Sequence, residues 1–247
     1  MHTGGIMTSA VVAPQMPRPH RPQSSAANTA PDLSESGVVQ TPDAAGLGRI
    51  AADGVTLAIW RRPAPPDIDT ELARCTPALS QPLRCELAAP ALARDAAEML
   101  AVRLTAHGLP VADCPRWLAD MAALAQHYAA LVMQHLGAAA VTLRLEALAD
   151  VACPRFHVDQ TRLRLLCAYR GPGTHWLPPA AVDRAALAAG APNERIADPA
   201  RVQALAPGWV GLFKGERWPG NADRGQVHRS PPAAGGAPPR LLFCLDI

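Results

Sequence analysis

Lysine is all but missing from this 247-residue chain: Lys214 is the only one, so nearly all of the 23 basic residues are arginine. Against 21 acidic residues they leave a formal charge of +2. No basic tract or basic patch interleaved with aromatics occurs, which argues against a nucleic-acid partner. Aromatic residues make up only 4% of the chain, so each Trp, Tyr and Phe carries more information than usual. No apolar run reaches the roughly 18 residues of a membrane span. The N-terminus also lacks the charged segment and long apolar stretch of a secretory signal. Six cysteines are present without a Cys-x-x-Cys pair, which removes zinc-ribbon and redox motifs and predicts a cytoplasmic protein with reduced thiols. A nucleophile elbow, a P-loop and a dinucleotide fingerprint are absent as well.

What is there suffices for a folded core: 49% of residues are hydrophobic and 18% charged. Residues 1–40 are rich in Pro, Ser and Ala without periodicity and are predicted to be a disordered tail, followed by a single domain over 41–247. Residues 55–60, VTLAIW, read as a strand closed by Arg61-Arg62-Pro63. Apolar residues recur at three and four over 83–106 and 115–136, predicting two amphipathic helices. Asp113 is the expected cap of the second and Gly137 its stop. Past Gly137 the period drops to two. Strands are expected at 141–148, 162–169, 208–213 and 240–245, divided by Gly/Pro turns, with 183–206 as a weakly helical surface insertion. The fold class is therefore α+β, with a helical cover over 80–137 and a β core over 140–247, the helices packing on one sheet.

Chemistry concentrates in CPRFHVDQ. Residues two apart on an extended backbone point to the same side, so the imidazole of His157 and the carboxylate of Asp159 can share one metal ion. His228, far downstream in QVHRSPP, is the candidate third ligand, brought back by a return strand. Two His and one carboxylate leave about three of six octahedral positions open, as non-haem Fe(II) chemistry requires. Arg240 follows twelve residues after His228, at the start of the last strand. Its guanidinium suits the far carboxylate of a dicarboxylic acid such as 2-oxoglutarate. Cys153 is either a fourth ligand, completing a zinc site, or a small buried residue. His175, Trp176, Lys214, Arg217 and Tyr169 are candidate walls of a substrate pocket.

His157-x-Asp159, a distant His228 and Arg240 on the final strand together resemble the 2-oxoglutarate and Fe(II)-dependent oxygenases over residues 140–247. That resemblance implies a double-stranded β-helix, of the jelly-roll or cupin-like kind, and a hydroxylase-type dioxygenase acting on a small-molecule or protein substrate. The strings FHVDQTRLRLLCAYRGPGTHWLP and GLFKGERWPGNADRGQVHRSPP, with LAIWRR and VTLRLE upstream, resemble a bacterial family catalogued as domain of unknown function 1826, over residues 45–247. This second resemblance implies no activity, only a connection to metal-handling partner proteins. The alternative to the oxygenase is thus a non-catalytic cupin-like protein that holds zinc or iron for metal homeostasis or sensing.

Overall fold

The computed structural model describes residues 1–2, 37–63, 65–233 and 238–247. Most of the expected tail, residues 3–36, lies outside the described residues. Its last residues belong to a strand, β1 (Val38–Thr41), which pairs in parallel with β2 (Leu57–Trp60). After α1 (Ile68–Cys75) the chain forms β3 (Leu83–Ala88) and only then the helices α2 (Ala89–Ala106) and α3 (Pro115–Leu136). The helix expected over 83–106 therefore begins six residues late. Pro90 is the reason: it fits the first turn of α2, where its missing N–H costs nothing, but would break a helix running through it. LRCELA instead alternates and pairs with β4 (Ala140–Leu148), Leu83 opposite Leu145 and Leu87 opposite Val141.

The remaining strands are β5 (Leu163–Arg170), β6 (His175–Trp176), β7 (Gln203–Ala204), β8 (Val210–Lys214), β9 (His228–Arg229) and β10 (Arg240–Asp246). They form a seven-stranded sheet in the order β1-β2-β8-β5-β10-β4-β3 and a three-stranded sheet in the order β7-β6-β9. A bridge from His157 to His228 adds one more rung at the β9 edge. From β4 onward the chain passes from the large sheet to the small one and back at every strand or pair of strands, which is a jelly-roll path. The β core is not confined to residues 140–247, because β1, β2 and β3 extend the large sheet at both edges.

Both faces of the large sheet are covered, so its central strands read as nearly continuous apolar runs. Leu163, Leu165, Cys167 and Tyr169 of β5 pack against the helices, with Leu92 and Leu100 of α2 and Trp117, Met121 and Tyr128 of α3. Leu166 and Ala168 face the other way, toward Trp176, Leu205 and Phe213 between the two sheets. In β10 the same alternation sends Phe243 to the helices and Cys244 to the inter-sheet space. Arg62 fastens the helical layer: it forks onto Asp120 of α3 at 2.6 and 2.8 Å and donates to Gly208 O at 2.8 Å. The Tyr169 hydroxyl donates to the same Asp120 at 2.6 Å.

The cap of α3 differs from expectation. Asp113 lies in a short 3-10 turn and Cys114 stands at the N-cap without a side-chain bond. The free amides of Arg116 and Trp117 instead donate to the Glu71 carboxylate on α1, at 3.3 and 2.8 Å. A cap supplied from 45 residues away has no local signal. Gly137 ends the helix with φ +58°, as its position predicts. Among the described residues no helix is long and apolar enough to cross a membrane.

Candidate metal centre

His157 and His228 meet because their backbones pair. Each donates its amide to the other's carbonyl at 3.0 Å, so the two residues face each other directly across an antiparallel rung. Their ring centroids are 4.5 Å apart. Asp159, two residues past His157, completes a group whose donor atoms all lie within 4.8 Å of one another. The loop carrying it is stapled to the end of β8. Gly215, Glu216 and Arg217 donate their amides to the carbonyls of Arg162, Asp159 and Thr161 at 2.9–3.1 Å. Position 215 has to be glycine, since a Cβ there would stand 2.0 Å from Thr161 O.

Each imidazole is held in a single orientation and tautomer. His157 Nδ1 lies 3.0 Å from Arg155 O and His228 Nδ1 lies 3.0 Å from Gln226 O. A carbonyl can only accept, so each Nδ1 carries a proton and each ring turns its Nε2 toward Asp159. Burial pushes the His228 ring down to about 4 against the upward pull of Asp159, so it is a neutral donor at neutral pH. His228 Nε2 is 3.3 Å from Asp159 Oδ2, and His157 Nε2 is 3.8 Å from Oδ1. Asp159 Oδ2 is buried without a hydrogen-bond partner. Oδ1 accepts from Nη1 of Arg164 on β5. Arg164 Nη2 in turn reaches Asp246 Oδ2 at 3.0 Å, and Arg144 of β4 donates to that same oxygen at 3.2 Å.

Arg240 opens β10 on the face shared by Leu242 and Cys244. It donates from Nε to Pro172 O at 2.8 Å and from Nη2 to Thr174 Oγ1 at 3.0 Å. It is 8% exposed, and among the described residues it has no carboxylate partner. Burial holds it down at about 10, with Glu146 pulling weakly the other way. Trp176 stands opposite His228 across the small sheet and packs between the sheets.

Other candidates are not brought to the site. Tyr169 packs in the helix-facing core, and alternation along β8 puts Lys214 on the face opposite Phe213, whose ring lies against His228. Lys214 donates to Ala52 O at 2.9 Å and sits 4.6 Å over the Trp218 ring, its amine pushed down to about 8 by burial. His175, next to Trp176, pairs with Arg229 and points away from the inter-sheet space. Cys153 is exposed, tied to Ser230 through backbone contacts, and does not join the His/Asp group. Arg217 does line a cavity of about 580 Å³ beside His157, with Phe156, Gln160, Arg184 and Glu216. Asp246, the local acid that the sequence offers to Arg240 in the non-catalytic alternative, pairs with Arg164 and Arg144 instead, and the sequence reading singles out neither of these nor Thr174. The lone arginine at 164 within the apolar run LRLLCAY was the available signal.

A jelly roll with a His-x-Asp loop facing a returning histidine defines the class of molecule. Residues 41–246 match the model of a family described as Protein of unknown function (DUF1826), and the chain belongs to that family. No curated protein sequence matches it. Among solved structures, the chain is similar to the dioxygenase for auxin oxidation of rice, with 16% identity, TM-score 0.44, and 85% of this chain and 81% of that one covered. It is similar to AtDAO1 of Arabidopsis thaliana in a 2-oxoglutarate complex, with 9% identity, TM-score 0.44, and 85% and 91% covered. A prolyl-4-hydroxylase of Pseudomonas putida matches with 16% identity, TM-score 0.33, and 71% and 93% covered.

Proposed function

We propose that this protein is a non-haem Fe(II), 2-oxoglutarate-dependent oxygenase with a double-stranded β-helix core, of the hydroxylase type. The observation that carries the reading is the buried Asp159 Oδ2, which has no hydrogen-bond partner, in a residue grouped with two imidazoles whose donor atoms lie within 4.8 Å of one another inside a jelly roll. A buried carboxylate oxygen without a partner costs about 1–3 kcal/mol, and a cation bound among these donors removes that cost. Three protein donors leave about three octahedral positions open, which suits iron that must bind further ligands and does not suit a closed structural zinc site. Arg240 supplies the second observation. Its buried guanidinium, without a carboxylate partner among the described residues, would with the Thr174 hydroxyl suit the far carboxylate of 2-oxoglutarate.

Bound iron and its co-substrate would supply oxygen activation coupled to decarboxylation, which no side chain can supply. The protein does the rest. His157, Asp159 and His228 hold the metal, and the Arg155 and Gln226 carbonyls hold the two imidazoles in the donor tautomer. Leu166, Trp176, Phe213 and Leu242 form an apolar wall between the sheets that excludes water from the region around Arg240 and the metal. The 580 Å³ cavity on the exposed side of His157 is large enough for a small-molecule substrate.

The test is metal analysis of the purified protein followed by succinate formation from 2-oxoglutarate under air with Fe(II). Turnover abolished by His157→Ala is expected. Stoichiometric zinc with no turnover in any condition would replace the oxygenase with a metal-binding module, and wild-type protein that binds no metal would end both.

A further inference from the structure

We propose that Arg164 is a positioning residue that withholds Asp159 Oδ1 from the bound metal, so that this carboxylate can ligate through Oδ2 alone. The inference rests on the metal reading above and concerns how many ligand positions the protein leaves free. A carboxylate has two oxygens and can bind a cation through one or both. In this chain the two are treated differently. Oδ1 accepts from Arg164 Nη1, whereas Oδ2 faces His228 Nε2 at 3.3 Å and has no hydrogen-bond partner.

Arg164 cannot easily let go. It lies on β5 in register with Phe213 and Asp246, and its other arm, Nη2, holds Asp246 Oδ2 at 3.0 Å. Arg144 grips that same oxygen from β4 at 3.2 Å. Arg164, Asp246 and Asp159 are only 17%, 12% and 7% exposed at their side chains, so water neither screens nor replaces these contacts. The planar fork bonded to two carboxylates at once fixes the plane of Asp159 as a single point charge could not.

The consequence is a count. Three ligands that each occupy one octahedral position leave three open, enough for a chelating co-substrate and one further ligand. Asp159 bound through both oxygens would leave two, and the chelate would fill them. Arg164 thus protects the position that a third incoming ligand needs. A purely structural role makes the opposite prediction for metal affinity: loss of a structural brace weakens the site, whereas loss of a residue that withholds an oxygen strengthens it.

The experiment titrates metal-free wild type and Arg164→Met with Zn(II) against a chromophoric chelator and records the visible absorption of the Co(II) forms. Expected is Zn(II) binding about tenfold or more tighter in Arg164→Met, on the scale of known outer-sphere effects, with a changed Co(II) band. Equal or weaker Zn(II) binding, or an unchanged Co(II) band, overturns the proposal. Should Arg164→Met fail to fold, Arg164→Lys decides: a single ammonium cannot hold Asp159 and Asp246 as the fork does, so Zn(II) binding is again expected to tighten with a changed Co(II) band, and equal or weaker binding overturns the proposal. Wild-type protein that binds neither ion overturns the metal reading together with this one, and intact wild-type binding confines any failure to Arg164.

Discussion

At the scale of single residues, the site is decided by which atoms are left without partners. His228 is neutral because it is buried, and that neutrality is linked to stability. Its folded value of about 4 lies below the ordinary 6.5, so the stabilisation is fully present above pH 6.5 and is lost as pH falls through about 4. Thermal melting of the metal-free protein should therefore show a falling midpoint over that window, and His228→Gln should flatten the fall. A slope unchanged by the substitution would contradict the burial of a neutral ring. Arg240 makes a separate prediction. Losing a charge-assisted hydrogen bond costs about 1.5–3 kcal/mol, so Arg240→Ala should raise the 2-oxoglutarate concentration needed for half-maximal turnover roughly tenfold to a hundredfold. An unchanged requirement would remove Arg240 from the co-substrate's binding site.

At the scale of elements, the loop bearing Asp159 depends on its close approach to the end of β8. In Gly215→Ala the new Cβ would meet Thr161 O at 2.0 Å, so the loop must move. Metal binding by that variant is expected to drop far more than helical content, measured by chelator competition and circular dichroism together. On the other side of the sheet, Asp120 joins Arg62 and Tyr169. Asp120→Ala strands a buried guanidinium and should cost about 3–5 kcal/mol in denaturant unfolding while leaving the metal site's geometry in place. The elements legible in the sequence were those with a clean period. The helix over Pro115–Leu136 and the strands Ala140–Leu148 and Leu163–Arg170 fall within a residue or so of expectation. Where a period was broken, as at Pro90, one segment concealed two elements. The cap of α3 was illegible because Glu71, which supplies it, sits on another helix.

At the scale of the whole molecule, a metal held by this group would tie the His157–Asp159 segment to β9, two segments remote in sequence. A ligand that binds only the folded chain stabilises it by about 2.7 kcal/mol at a hundredfold excess over its dissociation constant. Metal addition should accordingly raise the melting temperature by several degrees, chelation should reverse the rise, and Asp159→Ala should abolish it. A melting temperature indifferent to divalent metal would leave the convergence of these side chains without function.

The sequence by itself determined that His157 and Asp159 share a side of one extended segment, that His228 and Arg240 follow in that order, and that apolar strands surround them. These are local facts, set by the period of the backbone. Only the tertiary structure decided that His157 and His228 pair rung to rung, that Tyr169 and Lys214 face away from them, and that Cys153 stays outside. It also decided that an arginine five residues past Asp159 takes one of its two oxygens. Such outcomes depend on strand register and on which face each sheet turns inward, and both are settled by packing between segments that carry no local record of one another.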